Sequence, residues 1–196
     1  IIEFLSSQQT GRISSIDEDG YPQIIPMNFV FISDAIYMHS HVRGEKLDNI
    51  KRNQKVGFEV DKNLEFLPSY FSDPTDASLA DTLYISVVIK GNASIVSDKK
   101  EKTTALNGLM KKYQPEGGYE PIKPEMDVLD EVVVIKIIPK SLRGKYKIGQ
   151  NMDMKSRIDL AKQILERNTP TAKETLDIMG FKIIENEPKL IDDKPW

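Results

Sequence analysis

One short stretch of the chain, YMHSHVRGEK, contains several residues that are suited to binding an anion. They are His39, Ser40, His41, Arg43, Gly44 and Lys46. A phosphate site needs positive charge and converging hydrogen-bond donors, and the first backbone amides of a helix contribute to both. Solvated charges at a helix start are the ordinary explanation for Arg43 and Lys46. The clustering with Ser40 and two histidines favours a site for a phosphorylated cofactor.

The two histidines stand two positions apart, so on a strand they should point to the same face of the sheet. They could act as general acid and base, donate to a phosphate, or begin a metal site, although a metal normally needs a third ligand. For His39 we favour contact with a cofactor. For His41, a functional role and an ordinary polar position at a barrel mouth are equally open.

A proline interrupts the apolar run IIPMNF, and it marks an edge strand or an irregular one because it removes a ladder hydrogen bond. Backbone groups freed near Pro26 could contact the polar edge of a flat heterocycle, with Met27 and Phe29 providing apolar contact. Taken alone, the proline is better explained by a simple edge strand.

Hydrophobic periodicity predicts six strands, and turn residues between them indicate an antiparallel meander. A crossing helix and several meander turns favour a mainly β, α+β protein built on an antiparallel barrel with surrounding helices. The predicted strands are 10–16, 21–31, 35–39, 55–60, 82–96 and 132–138, the last ended by Pro139. The predicted helices are 44–53 and 99–113, and a long loop is expected over 65–78.

Beyond Lys147 the composition becomes helical, which suggests a division into residues 1–147 and an extension over 148–196. Two helices are predicted there, at 155–167 and 171–179. Thr171 and Glu174 have the spacing of a capping box. The tail from Glu185 to Trp196 is expected to be an arm lying on a surface.

Global composition excludes several classes of protein. Of the 196 residues, 39% are hydrophobic and 29% are charged, and the net charge of −3 gives no indication of nucleic-acid binding. No apolar run approaches the roughly 20 residues of a membrane span. Without cysteine, the chain has no disulfide and no thiolate ligand.

The start of the chain carries two further expectations. It lacks the basic residues and cleavage site of a signal peptide, so we expect a cytoplasmic protein. Its first residues read as the end of an amphipathic helix, so we expect a preceding segment.

Three segments resemble the pyridoxamine 5'-phosphate oxidase-like flavoproteins with the FMN-binding split barrel. They are GRISSIDEDGYPQIIPMNFVF, YMHSHVRGEKLDNIKRNQKVGFEVD and YISVVIKGNASIV, and they cover most of residues 10–96. Two features resemble the branch of this family that is related to 5-nitroimidazole resistance proteins. They are the later segment KYQPEGGYEPI and the spacing of His39, Gly44, Lys46 and Asn49.

The resemblance implies a homodimer that binds two FMN molecules at the subunit interface, in a six-stranded split β-barrel with a C-terminal helical extension. By matching position, the strand at Pro26 lies along the isoalloxazine ring, Lys46 holds the phosphate, and His39 lies near the flavin as the candidate catalytic residue. The strand with Tyr84 is expected from the partner subunit. The full implied cofactor-binding set is Pro26, Met27, Asn28, His39, Ser40, His41, Lys46, Asn49, Tyr84 and Ser86.

Some positions depart from the family pattern. His41 stands where a small residue is expected, Glu45 replaces the arginine of the oxidases, and the C-terminal substrate-binding pattern of the oxidases is not visible. These departures argue against oxidation of vitamin B6.

We therefore expect an FMN-dependent, nitroreductase-like oxidoreductase that passes electrons from a reduced donor to a small, electron-poor acceptor. His39 or His41 would be the proton donor. The alternatives are a non-catalytic flavin or haem carrier, a pyridoxamine 5'-phosphate oxidase, and a deazaflavin-using reductase.

Overall fold

The computed structural model describes residues 1–192, which form nine strands and six α-helices. In chain order these are α1 (Ile2–Ser7), β1 (Gly11–Ile16), β2 (Pro22–Met27), β3 (Val30–Ile32), β4 (Ala35–His41), α2 (Glu45–Arg52), β5 (Lys55–Leu67), β6 (Asp81–Ile95), α3 (Lys99–Tyr113), α4 (Val128–Glu131), β7 (Val132–Lys147), α5 (Met154–Arg167), α6 (Ala172–Ile178), β8 (Phe181–Ile184) and β9 (Glu187–Leu190). Two short 3-10 turns, Ser69–Phe71 and Ala77–Leu79, lie between β5 and β6.

Seven strands form one sheet in the order β2-β1-β5-β6-β7-β4-β3. The pairs β1–β2, β1–β5, β3–β4 and β4–β7 are all antiparallel. The predicted class, a mainly β, α+β split-barrel fold, is confirmed. The sheet has one strand more than the six predicted, and the difference arises between β2 and β3.

The single strand predicted over 21–31 is wrong, because the chain leaves the ladder at Asn28 and Phe29. Phe29 is fully buried and packs edge-on against Phe58, with ring centroids 5.1 Å apart. Its backbone N–H donates to the Tyr113 hydroxyl at 2.9 Å, and that hydroxyl also lies 3.1 Å from the Phe29 carbonyl oxygen. A side chain from α3 thus takes the backbone bonds that a strand neighbour would otherwise supply.

The prediction that Pro139 ends its strand is also wrong, since β7 continues to Lys147. The register of β7 with β4 ends at the pair Ile36 and Ile137. Pro139 lies two residues beyond that pair, so its missing N–H interrupts no bond to β4.

Helix α3 covers the predicted range, and its first turn is capped by the Asp98 carboxylate, which accepts from the Glu101 N–H at 2.7 Å. Its inward residues pack on the first residues of β4 and on β3. This buried cluster consists of Val30, Ala35, Tyr37, Val96, Ala105, Leu106, Leu109, Leu129 and Val134.

Two compact units are distinguished along the chain. The first comprises 1–60 and 87–144; the second comprises 61–86 and the chain from Lys145 onward. The division between residues 147 and 148 stays a prediction. No helix within residues 1–192 combines the length and apolar character that a membrane crossing requires.

The capping box predicted for Thr171 and Glu174 is wrong, because a buried carboxylate in the second unit binds the Thr171 hydroxyl. The Glu65 side chain, 2% exposed, pairs with Arg167 at 3.1 Å and accepts hydrogen bonds from the hydroxyls of Thr169 and Thr171. Because the Thr171 hydroxyl donates to Glu65, it does not cap α6. Strand β5 also runs to Leu67, so the predicted loop begins later than expected.

The prediction of an arm from Glu185 onward is wrong as far as Leu190, because β8 and β9 form an antiparallel hairpin there. Its turn consists of Glu185 and Asn186, with φ of 53° and 62°. Two positive φ values are what a tight two-residue hairpin requires, and asparagine tolerates them. The part of the expected arm at Trp196 lies outside the described residues.

Candidate cofactor site

Both histidines lie at the end of strand β4. The strand extends to His41, two residues beyond the predicted end at His39. Burial alternates there: His39 and His41 are exposed while Ser40 between them is 7% exposed. The two imidazoles thus share one face, as predicted. The Ser40 hydroxyl donates to the His41 carbonyl at 3.1 Å.

The His41 ring is oriented by the backbone that follows it. The Arg43 N–H donates to His41 Nδ1 at 3.2 Å. In that arrangement Nδ1 is the acceptor of a neutral ring, and the proton lies on Nε2. An exposed imidazole held in this way can donate to a ligand through Nε2.

Gly44 immediately precedes helix α2, and its backbone conformation suits glycine. Its φ is 150°, and a Cβ placed there would lie 3.7 Å from the Lys46 ammonium nitrogen. The half-buried Lys46 side chain is therefore folded back over the start of its own helix. No side chain in the described structure caps α2, and the Leu47 amide donates to the Gly44 carbonyl at 2.9 Å, so the amides left for a ligand at this helix start are those of Glu45 and Lys46.

The charge at this helix start is mixed. The first turn contains the carboxylates of Glu45 and Asp48, both on exposed residues, which oppose the attraction of an anion. Arg43 is exposed immediately before the helix. The Lys46 ammonium is the positive charge that the structure shows folded over Gly44 at this helix start.

Asn49 is placed differently from the other candidates. It is 1% exposed, and its amide nitrogen donates to the Ser15 hydroxyl at 3.2 Å and approaches Gln23 Oε1 at 3.4 Å. Its side-chain oxygen accepts from Arg52 at 2.8 Å. These contacts tie α2 to the β1–β2 hairpin and position the turn that carries Lys46. A cofactor contact by Asn49 stays a prediction.

Strand β2 lies at the edge of the sheet, which confirms the prediction that Pro26 marks an edge strand. Pro26 is paired with Arg12 of β1, so its other side has no strand neighbour in the described chain. Pro26 and Asn28 are exposed and Met27 is half-buried. On the same face, Ile24 is 62% exposed, which leaves an apolar surface on which a flat ring could pack.

The last two predicted residues, Tyr84 and Ser86, belong to the second unit, whereas all the others belong to the first. Both are half-buried and stand two positions apart on β6, so they share a face. The ammonium of Lys145 lies 5.3 Å from the centre of the Tyr84 ring.

A polar cluster not foreseen from sequence supports the strand that carries the histidines. The Glu101 carboxylate accepts from the Tyr37 hydroxyl at 2.8 Å and from Lys136 at 2.6 Å. These hydrogen bonds lower the pKa of Glu101. The pKa of Tyr37 is raised, mainly by burial and then by the hydrogen bond to Glu101. Tyr37 lies two residues before His39 on the same face, so the cluster fixes the base of the site.

A second unforeseen group lies beside Phe29. Lys112 places its ammonium 3.7 Å from the centre of the Phe29 ring and donates to the Leu5 carbonyl at 3.0 Å. Burial lowers the pKa of Lys112 to about 8. Its spacing of three residues from the buried Leu109 on α3 is the sequence signal that could have placed it inward.

Among residues 1–192, no three histidine, aspartate or glutamate side chains converge on a point that could hold a metal ion. The donors available at the end of β4 and the start of α2 are amides, a hydroxyl, imidazoles and an ammonium. That set suits an oxyanion.

The fold defines the chain as a split-barrel protein. Residues 1–146 match the family described as pyridoxamine 5'-phosphate oxidase. The chain belongs to that family, which confirms the resemblance seen in its sequence. No curated protein matches the chain significantly.

Several solved structures share the fold. A suggested 5-nitroimidazole antibiotic resistance protein from Bacteroides thetaiotaomicron is 21% identical, with a TM-score of 0.61, over 72% of this chain and 79% of that one. A flavocytochrome from Azotobacter vinelandii is 18% identical, with a TM-score of 0.63, over 74% and 64%. An FAD- and heme-binding protein from Mycobacterium smegmatis is 15% identical, with a TM-score of 0.62, over 81% and 75%.

Proposed function

We propose that this protein is an FMN-dependent oxidoreductase that passes electrons from a reduced donor to a small, electron-poor acceptor. Membership of the pyridoxamine 5'-phosphate oxidase family over residues 1–146 supports a flavin cofactor, as do the names of the flavocytochrome and of the FAD- and heme-binding protein. The likeness to the suggested 5-nitroimidazole resistance protein supports a nitroreductase-like acceptor.

The observation that carries the proposal is the Lys46 ammonium folded over the open start of α2. Lys46, the first amides of α2 and the nearby His41 Nε2–H form a donor set that fits the phosphate of FMN. An ammonium and amides favour an anion more than a neutral ribityl chain. This preference is the reason for proposing a phosphorylated flavin.

The edge strand β2 is the proposed support for the flavin ring. Pro26 and Ile24 present an exposed apolar face, and the outer backbone edge beyond Met27 can hydrogen-bond to the polar rim of a heterocycle. When bound, FMN supplies the electron transfer itself. The residues of this chain hold the phosphate, orient the ring and exchange protons.

His39 is proposed as the proton donor or acceptor. It is exposed at the end of β4, on the same face as His41 and in line with the Tyr37–Glu101–Lys136 cluster. An imidazole in such a position can exchange a proton near neutral pH. The first amides of α2 and the Lys46 ammonium do not supply this function, since both serve as donors to the phosphate.

A homodimer with FMN at the subunit interface belongs to the same proposal. Its support is the resemblance of the sequence to FMN-binding split-barrel proteins, which implies a homodimer and assigns the strand with Tyr84 and Ser86 to the partner subunit. Half-buried residues of β6 are expected to meet the flavin that is held by the partner's first unit.

Anaerobic reduction tests the proposed activity. The protein is loaded with FMN, reduced with NADH or dithionite, and then mixed with a nitroaromatic acceptor while the flavin absorbance is followed. We expect reoxidation faster than that of free FMN at the same concentration. Replacing His39 by Gln should slow reoxidation by a larger factor than it weakens FMN binding.

The second candidate is a non-catalytic flavin or haem carrier, which the names of the flavocytochrome and of the FAD- and heme-binding protein favour. A carrier would bind FMN and accept electrons from dithionite, yet reoxidise no faster than free FMN. Failure to bind any flavin would reject both candidates.

A further inference from the structure

A cleft of about 960 Å³ lies wholly within the second unit, and the proposed flavin chemistry makes no use of it. Four segments line it: the end of β5 with the 3-10 turn that follows, the start of β6, the end of β7 with the loop after it, and one side of α5. We call it the extension cleft. Its lining falls within residues 67–72, 79–83, 145–152 and 156–163.

The lining of the extension cleft contains apolar side chains among polar and charged ones. Leu83 and Leu160 are buried in its wall, and Phe71 is half-buried beside them. Leu79 and Met152 are 45% and 42% exposed in its lining, so apolar side chains are left in contact with solvent there. The volume is that of a site for a drug-sized molecule, and such sites are mostly apolar with a few polar groups.

Hydrogen bonds hold the walls in place without a ligand. The Gln163 side chain of α5 donates to the Phe71 carbonyl at 2.9 Å, which fixes the 3-10 turn against the helix. The Gln150 side chain donates to the Tyr146 carbonyl and accepts from the Ile148 N–H at 3.1 Å, which fixes the loop after β7. A preformed cleft loses little entropy on binding.

The charges around the cleft distinguish one lysine. Lys147 is paired with Asp81, and Lys162 lies 3.9 Å from Glu187. Lys145 makes no ion pair with any described residue and rests over the Tyr84 ring. Its ammonium is exposed at the cleft wall, while the Asp159 carboxylate stands on the α5 side.

We propose that the extension cleft binds a small molecule with an apolar body and one anionic group, and that the anion pairs with Lys145. The apolar body would cover Leu79 and Met152 and contact Leu83 and Leu160. Lys145 rests over the ring of Tyr84, a proposed flavin-binding residue, but no proposed flavin-binding residue lines the cleft itself. The proposal therefore does not depend on flavin binding.

The test uses the full chain saturated with FMN, or the flavin-free chain if none binds, and three probes of one shape. These are 2-naphthoate, the neutral 2-naphthamide and the cationic 2-naphthylmethylammonium. Calorimetric titration and backbone amide NMR report affinity and location. We expect naphthoate to bind most tightly, with amide shifts at Gly149 and Asn151.

Variants separate the charge from the shape. Lys145→Glu should weaken naphthoate binding about tenfold or more and leave naphthamide binding unchanged. Lys155→Glu makes the same charge change on α5 outside the cleft, so it should have little effect. Leu79→Trp should fill the cleft and weaken all three probes.

Three results would overturn the proposal. They are no binding of naphthoate at millimolar concentration, equal or tighter binding of the cationic probe, and unchanged naphthoate affinity in Lys145→Glu. The last two would show that Asp159, or the apolar wall alone, decides what the cleft accepts.

Discussion

Lys46 is the residue on which the proposed cofactor site most depends. Its ammonium lies over Gly44, at a helix start whose amides have no side-chain cap. The neighbouring carboxylates of Glu45 and Asp48 make that start a poor anion site without the lysine. The Lys46 ammonium offsets part of that negative charge.

Reversing that charge gives the first prediction. Lys46→Glu should lose a charge-assisted contact worth roughly 1.5–3 kcal/mol, so FMN affinity should fall at least about tenfold. Flavin fluorescence titration measures it. Lys51→Glu, an exposed change of the same sign on the same helix, serves as the control and should alter affinity far less. An equal loss in both variants would contradict the phosphate assignment.

The residues of the site were partly predictable from sequence. A Ser between two histidines in a strand pattern indicates alternation, and Ser40 is indeed buried between two exposed imidazoles. The engagement of Asn49 with Ser15 was not predictable, because it joins residues 34 positions apart. Long-range polar contacts of this kind leave no periodic signal in the chain.

At the scale of elements, the break between β2 and β3 is set by α3. Burial of Phe29 against Phe58 and the paired contacts of the Tyr113 hydroxyl hold two residues out of the ladder. This break separates the exposed edge at Pro26 from the core strands β3 and β4. The helix therefore shapes the proposed surface for the flavin ring.

Removing the Tyr113 hydroxyl gives the second prediction. Tyr113→Phe leaves the Phe29 N–H without its acceptor, so the free energy of unfolding should fall by about 1–3 kcal/mol. Urea denaturation measures the loss, and hydrogen exchange of the Phe29 amide should accelerate. Tyr21→Phe, at a side chain 70% exposed, should change neither. Unaltered exchange at Phe29 would refute this account of the break.

The third prediction concerns the close approach of β6 and β7. A Cβ at Gly91 would lie 2.6 Å from the Ile138 carbonyl oxygen, so Gly91→Ala must move backbone. We expect a loss of stability of about 1–3 kcal/mol by thermal or urea denaturation. Gly57→Ala meets only the Ser14 Cβ at 3.6 Å and should be nearly neutral. Equal stability of the two variants would disprove the close packing.

Most elements were predictable from sequence because their signals are local. Helix α3 has its Asp98 cap and inward Leu106 and Leu109, and the order of the first strands follows from turn residues. The continuation of β7 through Pro139 was not predictable, because it depends on where pairing with β4 ends. The same holds for Thr171, whose hydroxyl is taken by Glu65 from 106 positions away.

At the scale of the whole molecule, the chain consists of a part that matches its family and an extension that follows it. Residues 1–146 carry the family match, while α5, α6 and the β8–β9 hairpin follow it. The extension contributes α5 to the wall of the extension cleft and anchors to Glu65. Both proposed ligand sites use strand β6, on which Leu83 lines the cleft while Tyr84 and Ser86 are expected to meet the flavin.

The fourth prediction concerns assembly. If FMN lies between two copies, sedimentation should give twice the chain mass of 22.3 kDa, and native mass spectrometry should show two FMN per dimer. If the protein is a monomer and still binds FMN, the proposal of a site shared between two copies is wrong, while the proposal of flavin binding stands.

The central claim is that the start of α2 and Lys46 hold a phosphate. The most direct test is the ratio of the dissociation constants of riboflavin and FMN for the unmodified protein, since the two ligands differ only in that group. We predict that FMN binds at least about tenfold more tightly, and that the ratio approaches one in Lys46→Glu. Riboflavin binding as tightly as FMN to the unmodified protein would contradict the account.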